Sequence, residues 1–544
     1  MAEAIHNLAV ILKKHPQPQN ETEFLLVKQT RPPKFNDEEY DSYVDSDIWD
    51  LPSTQLNLLD GNSESPIVVE GAQSINLTNF DLHSALTKVL EQVGFEVTDG
   101  GEWKFWKYVE EAEFGPGLPV HTVFIMGKLL AGDRNLQAER CKWMSVQSCL
   151  SWLLEVKPSS DRVGPLTVVG LVNDSIQPAD QKVPSILRHQ MMFKKQILNQ
   201  DVYHIQMEYP PGVKLVPIGS KTAKPFRTTN LIIFAPENVS NESENNSFVA
   251  CGDALIVDPG CRSEFHEELQ NIVAALPRKL VVFVTHHHRD HVDGLSIVQK
   301  CNPNATLLVH ENTMRRIGKG DWSLGYTSVS GAEDICIGGQ QLRVIFAPGH
   351  TDGHMALLHM STHSLIVGDH CVGQGSAILD ITSGGNMTQY FQTTYKFMEL
   401  SPHTLIPMHG RVNLWPKHML CGYLKNRRSR ETSILKAIEN GAETLFDIVA
   451  EVYSEFDRSV WIPAASNVRL HVEHLAEQDK LPKAFSIQKL QKTCGLYFLA
   501  RWIWAYLSKG LQLNYQKLWT SKLFAAGAVA SFAVLYSINK FSAK

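Results

Sequence analysis

Residues 285–294 read THHHRDHVDG, placing four histidines and two aspartates within ten positions. The residues leading into them, KLVVFVT over 279–285, are apolar and β-branched, as in a buried strand. On an extended loop after such a strand, His286 and His288 fall on one side and can aim at one ion. On a helix the same spacing would turn them about 200° apart. Asp290 and His291 follow where a helix can begin and offer a second pair of donors. His287 sits between two inward-pointing neighbours and is expected to face away.

Working outward over about 203–415, short apolar runs repeatedly end in polar loops: LIIFAP, ALIVDPG, ATLLVHE, LRVIFAPGHTDGH, SLIVGDH and TLIPMHG. Three of these ends carry further donors, His350, Asp369 and His409. One arrangement accommodates all seven residues. His286, His288 and His350 would bind a first metal ion, Asp290, His291 and His409 a second, and Asp369 would bridge them. With 22 histidines in the chain, any single one can end a strand by chance, so the inference rests on their conjunction. Imidazole and carboxylate donors suit two Zn²⁺, with Mn²⁺ or Fe as alternatives.

These motifs, 286-HHHRDH-291, Gly349-His350, Gly368-Asp369 and His409-Gly410 in that order, resemble the ligand motifs of the metallo-β-lactamase superfamily. Asp258 in LIVDPG matches that family's first motif, an acid that supports the metal loop. The resemblance implies an α/β fold, an αββα sandwich with the metals at one edge. The segment PGHTDGH is similar to the PGHTPGH of the glyoxalase II-like and lactamase-beta-like-2 branches. Its His354 reads either as a neighbour of the ligands that contacts substrate or as a structural hydrogen-bonding group. Asn230 in TTNLIIF matches a Thr-Asn pair of the family's first strand and reads as structural.

The helical pattern of 416–485 resembles the winged-helix-like region of the lactamase-beta-like-2 proteins. Animal members of that branch are mitochondrial endoribonucleases acting on single-stranded RNA, and fungal relatives cleave acyl thioesters from carrier proteins. The resemblance implies a dinuclear hydrolase with a metal-bridged hydroxide as nucleophile and Asp290 accepting or orienting its proton. Two ions roughly 3.5–4 Å apart acidify water and stabilise developing charge, for a phosphodiester or a thioester alike. Single-stranded RNA is the expected substrate, a small acyl thioester the alternative, and a membrane-tethered binding or scaffold protein a third reading. Lys425, Arg427, Arg428 and Arg430 could meet phosphates, but Glu431 and Glu439 on the same helix favour an ordinary solvated face.

Residues 1–200 resemble a degenerate Nudix domain, with a first strand near Ala4–Leu12 and WDLPS at Trp49–Ser53. Aligned on Gly94 and Phe95, the Nudix box has Thr87 and Lys88 at its Arg-Glu positions. It has Glu91 and Gln92 at the Glu-Glu pair, Asn79 at the upstream Glu and Gln73 at the first Gly. One carboxylate cannot hold Mg²⁺ over a diphosphate, so the domain is expected to bind a partner or pack on the hydrolase.

A net charge of −6 gives no sign of a nucleic-acid-coating surface. Nine cysteines, an odd number with no C-x-x-C pair, argue against a disulfide framework and for an intracellular, reducing compartment. Within 486–544, the run LFAAGAVASFAVLYSI at 523–538 is flanked by Lys517, Lys522, Lys540 and Lys544. It approaches the roughly 20 residues that span a bilayer. It reads as a tail anchor on an organelle membrane (the outer face of a mitochondrion or plastid) or, in a cytosolic protein, as a buried or interfacial helix. The sequence leaves the oligomeric state open.

Overall fold

The structure is a computed structural model. It describes residues 5–14, 22–29, 48–59, 69–70, 76–95, 103–110, 120–128, 140–149, 207–208, 212–223, 226–236, 247–373, 375–410, 412–413 and 416–510. The chain divides into two compact units, residues 1–377 with 389–426, and residues 378–388 with 427–544.

In the first unit, the strand Ile5–Lys14 runs parallel to Val120–Lys128, in register from Ile5↔Val120 to Lys13↔Lys128, and antiparallel to Glu23–Gln29. Side chains on a strand alternate between its two faces. Leu8, Val10 and Leu12 therefore pack in one cluster with the helix Leu82–Gln92, through Leu82, Ala85, Leu86, Val89 and Leu90. Asp81 caps that helix by accepting from Ser84 N–H. Each fully buried aliphatic side chain here contributes roughly 1.5–3 kcal/mol. Ala9 and Ile11 point the other way, into an apolar cluster that also holds Val213, Leu215, Ile232 and Phe234 of the next domain. The helix leaves Lys88 and Glu91 exposed. Gln73, and the strand-like run TVVGLVN at 167–173, lie outside the described residues.

The segment from residue 207 onward forms two facing sheets. One has seven strands in the order Tyr326–Ser328, Thr306–Val309, Leu280–Phe283, Ala254–Val257, Thr228–Phe234, Val213–Gly219, Met207–Glu208. The other has six, in the order Ala250–Gly252, Asp334–Ile337, Gln340–Phe346, Met355–His359, Ser364–Gly368, Thr404–Pro407. Alternation again sets the layers. Leu255, Val257, Val281 and Phe283 face the inner cluster with Val344, Leu357 and Ile366. Ala254, Ile256, Leu280 and Val282 face Leu269, Val273, Leu295 and Val298 on the helices His266–Ala275 and Leu295–Cys301. Strands buried on both faces are apolar throughout, which is why the sequence shows continuous runs rather than alternation.

The second unit is helical. Thr444 caps Leu445–Val452 in a reciprocal capping box with Asp447. The core joins Ile448 and Val449 to Val468, Val472 and Leu475 of Trp461–Glu477. The helix Leu496–Gly510 adds Phe498, with Trp502 and Ala505 packed against the same core. The helical module thus continues beyond residue 485, because the aromatic run YFLARWIWAYL supplies part of its interior. Residues 523–538 lie outside the described residues, and no described helix is long and apolar enough to cross a membrane.

Candidate metal centre

Five loops at strand ends build the site. The strand Leu280–Phe283 delivers His286 and His288, and the short helix Arg289–Val292 that follows carries Asp290 and His291. Loops after Gln340–Phe346, Ser364–Gly368 and Thr404–Pro407 deliver His350, Asp369 and His409. Asp258 follows Ala254–Val257, at a φ of 52°. Two glycines let the first loops touch. A Cβ on Gly260 would lie 1.8 Å from the Asp290 carbonyl oxygen, and one on Gly294 1.8 Å from that of Pro259.

The seven sequence-predicted donors converge as two groups sharing Asp369: His286, His288, His350 and Asp369, and Asp290, His291, Asp369 and His409. Within each group one donor atom per residue lies within 4.8 Å of every other. His288 Nδ1 stands 2.9 Å from His286 Nε2 and 3.1 Å from His350 Nε2. Asp369 Oδ2 stands 3.4 Å from both His291 Nε2 and His409 Nε2, and Asp290 Oδ2 is 3.3 Å from His409 Nε2. His287 belongs to neither group.

Hydrogen bonds behind the rings decide which nitrogen faces inward. Asp258 accepts from Thr285 N–H at 2.7 Å, Thr285 Oγ1–H at 2.6 Å and His291 Nδ1–H at 2.8 Å. Thr285 Oγ1, its own proton committed to Asp258, accepts from His286 Nδ1–H at 3.0 Å. His409 Nδ1–H donates to the Thr228 carbonyl at 2.9 Å, and its ring stacks on Phe226. His286, His291 and His409 therefore present Nε2 to the centre. Asn230 clamps the His409 loop, donating to the carbonyls of Pro407 at 2.9 Å and Gly410 at 2.8 Å.

These residues fit a pair of divalent cations. With Nδ1–H committed to Asp258, His291 Nε2 faces the carboxylates of Asp369 and Asp290, which outweigh burial and hold this imidazole well above the ordinary histidine value, so the position calls for positive charge, a proton or a cation. His291 Nε2 and Asp369 Oδ1 are buried without a hydrogen-bond partner. Burial, reinforced by neighbouring histidines, holds His286 and His350 well below the ordinary histidine value, so their lone pairs are available as donors. Burial pushes the Asp290 and Asp369 carboxyls up, but the adjacent histidines outweigh it and hold both below the ordinary range.

His354 bridges two of the loops through hydrogen bonds. It is buried, its Nδ1–H donates to the Ala347 carbonyl at 3.1 Å, and its Nε2 accepts from Asp369 N–H at 3.1 Å. Burial lowers its pKa to about 3, keeping the neutral tautomer this bridge needs. A Cβ at Gly368 would lie 2.4 Å from His354 Nε2, so glycine there (φ 57°) lets Asp369 approach. The sequence reading passed over Thr285 and Phe226. Thr285 carried a signal, as the residue between strand and histidines, whereas Phe226 had none.

The basic run is neither a solvated face nor an open phosphate surface. Arg427 is buried and donates to Asn467 Oδ1 at 3.1 Å, Arg428 pairs with Glu431 at 3.3 Å, and Arg430 lies over the Tyr453 ring at 4.3 Å. Counting charges on one helix missed that its neighbour Trp461–Glu477 would cover Arg427 and that Arg430 would lie over Tyr453.

Residues 241–409 match the family described as the Metallo-beta-lactamase superfamily, and residues 444–484 match the Beta-lactamase associated winged helix domain. The chain is 26% identical over 212 residues to a Beta-lactamase-like protein 2 homolog of Drosophila melanogaster, 37% of this chain and 69% of that protein. A homolog of the same name from Caenorhabditis elegans is 25% identical, over 41% of this chain and 75% of the other. An Atrochrysone carboxyl ACP thioesterase of Claviceps purpurea is 25% identical, over 40% of this chain and 70% of the other. With two facing sheets and a His/Asp cluster at their strand ends, the chain has the metallo-β-lactamase hydrolase fold, followed by a winged-helix associated domain.

Proposed function

We propose that this protein hydrolyses single-stranded RNA at internal phosphodiesters with the help of two divalent cations. The observation that carries the two-cation reading is the pair of donor groups joined at Asp369. His286, His288 and His350 would hold one cation, Asp290, His291 and His409 the other, and Asp369 both. The imidazole-rich donor set favours Zn²⁺, with Mn²⁺ or Fe as alternatives. Bound cations supply Lewis acidity and lower the pKa of water.

The chain's own residues do the rest. Asp258, Thr285 and the Thr228 carbonyl lock the imidazoles, which spares the reaction their reorganisation. Asp290, held ionised beside His409 Nε2, would accept or orient a proton at the reacting centre.

RNA is supported by the likeness of the motifs and helical module to the lactamase-beta-like-2 branch and by the two matched homologs of that name. The Claviceps relative's name favours a second reading, acyl-thioester hydrolysis. A panel of single-stranded RNA and acyl thioesters, with and without chelator, separates them. RNA cleavage abolished by chelator and restored by Zn²⁺ is the expected result; thioester turnover alone overturns the RNA reading, and chelator-insensitive turnover overturns both.

The N-terminal domain, read as Nudix-like without hydrolysis, serves as a packing partner of the hydrolase, supported by the apolar cluster the two share. The run 523–538 stands as a proposed anchor to an intracellular membrane. Deleting 523–544 should move the protein to the soluble fraction, and unchanged fractionation would remove this reading.

A further inference from the structure

Three imidazoles of the centre are held from behind. His286, His291 and His409 each donate Nδ1–H to an oxygen, of Thr285, Asp258 and Thr228 respectively. His350 differs. Its Nε2 stands 3.1 Å from His288 Nδ1, but its Nδ1 is buried with no hydrogen-bond partner among the described residues. With no hydrogen bond behind the ring, this donor takes its place from the backbone that carries it. That backbone is a loop bonded from outside by side chains of two helices. From Met387–Leu400, Lys396 Nζ–H donates to the Phe346 carbonyl at 3.1 Å and Thr393 Oγ1–H to that of Pro348 at 2.7 Å. From Glu311–Met314, Thr313 Oγ1–H donates to the Gly353 carbonyl at 2.9 Å and Asn312 Nδ2–H to that of Asp352 at 3.4 Å. Glycine permits both approaches: a Cβ on Gly349 would lie 2.4 Å from Tyr390 Cα, and one on Gly353 2.6 Å from Thr313 Oγ1.

A charged contact closes this clamp. Arg316, just after Glu311–Met314, grips Asp352 with both terminal nitrogens, Nη1 to Oδ1 at 2.5 Å and Nη2 to Oδ2 at 2.9 Å. Nη1 also donates to the Asn312 carbonyl at 3.1 Å, so the guanidinium ties Asp352 to the backbone of the helix. The two side chains are 31% and 35% exposed, and an ion pair so placed adds little to the stability of the whole fold. Its fork geometry nevertheless fixes direction as well as distance. Asp352 is two residues from His350, so a shift of its backbone carries the imidazole with it.

We infer that Arg316 is a positioning residue for the cation held by His286, His288 and His350: by gripping Asp352 it fixes the His350 loop, in place of the bond behind the ring that the other three imidazoles have. This rests on the two-cation reading of the centre. Its reach stops at the first cation, because Asp290, His291 and His409 stand on other loops. The test is titration of Zn²⁺ into the full, metal-free chain against a chromophoric chelator, which yields both dissociation constants without turnover. Arg316→Ala should weaken one ion about tenfold and leave the other within about twofold. Arg316→Lys keeps the charge but loses the fork, and should fall between. Asp352→Asn asks the same question from the other side, should Arg316→Ala fail to fold. Arg343→Ala breaks a similarly forked pair, with Asp334 at 2.9 and 3.2 Å, on strands rather than on a donor loop, and should leave both constants unchanged. In a His350→Ala background, Arg316→Ala should have no further effect, since the two act as one unit. Two ions bound with unaltered constants by a folded Arg316→Ala overturn the inference and leave the two-cation reading standing. Equal weakening of both ions, the same loss in Arg343→Ala, or a full further loss on top of His350→Ala does likewise. A single Zn²⁺ in the unaltered chain overturns both.

Discussion

In the hydrolase domain, Asp369 lies 3.4 Å from the inner nitrogens of His291 and His409; in the helical module, Glu431 lies 3.5 Å from nitrogens of His471 and His474. Both carboxylates are nearly buried, and so are all four histidines. Only the first set belongs to a convergent group of donors. The difference is in what stands behind each ring. His291 and His409 commit Nδ1 to Asp258 and to the Thr228 carbonyl, which leaves Nε2 aimed at a common centre. His474 uses both nitrogens locally, Nδ1 with Thr388 Oγ1 at 2.7 Å and Nε2 with Gln478 at 2.6 Å. Glu431 is meanwhile neutralised by Arg428. Buried histidine beside buried carboxylate is thus a structural network in one place and a cation cradle in the other. The hydrogen bonds at His474 and the Arg428–Glu431 pair distinguish the helical set from the first, while His471 Nδ1 and Nε2 are buried without a hydrogen-bond partner.

The most severe way to break this contrast is at the shared carboxylate. Asp369→Ala should reduce metal content from close to two ions per chain to one or none. It should lower hydrolysis on the order of 10³-fold, as several kcal/mol of charge stabilisation are lost. Elemental analysis with single-turnover rates checks this, and two retained ions would remove Asp369 from its bridging place.

A smaller effect is expected one step back. Asp258→Asn keeps the shape and tolerates the positive φ, but it loses a charged acceptor shared by Thr285 and His291. Metal affinity should fall about 10–100-fold, read by competition with a chromophoric chelator. Unchanged affinity would mean that the ring orientations do not depend on this carboxylate.

The mildest change is expected at the other carboxylate. Glu431→Gln should leave metal content unchanged and lower the module's stability by about 1–3 kcal/mol near neutral pH, measured by thermal unfolding. Burial pushes the Glu431 carboxyl up, but His471, His474 and Arg428 outweigh it and hold it below its ordinary value. The stabilisation is therefore present above the ordinary glutamate pKa and is lost as pH falls through the lowered one. The gap between variant and unaltered protein should close in acid. If Glu431→Gln instead released metal, the two clusters would not be distinct.

Much of the centre was legible because its donors sit at strand ends. Runs such as KLVVFVT and SLIVG announce strands through their apolar, β-branched composition, and the residue after such a strand enters a loop at the sheet's edge. The basic helix was misread for the opposite reason. Lys425–Arg430 has no local signature separating a solvated face from one covered by another helix, and Arg427 is buried only because Trp461–Glu477 lies against it. Likewise the aromatic run at 497–507 reads as tail until Phe498 is seen inside the module's core.

By itself, then, the sequence marked the apolar strand runs and the candidate donors in their order along the chain, while the sandwich followed from the resemblance those motifs carry. It separated His286 and His288 from His287 by the alternation of side chains along an extended loop. Only the tertiary structure shows which nitrogen His286, His291 and His409 turn inward and that His354 bridges the Ala347 carbonyl and the Asp369 N–H. Those arrangements depend on hydrogen bonds between distant residues, 33 positions apart for His291 and Asp258 and 181 for His409 and Thr228, and packing alone brings those partners together.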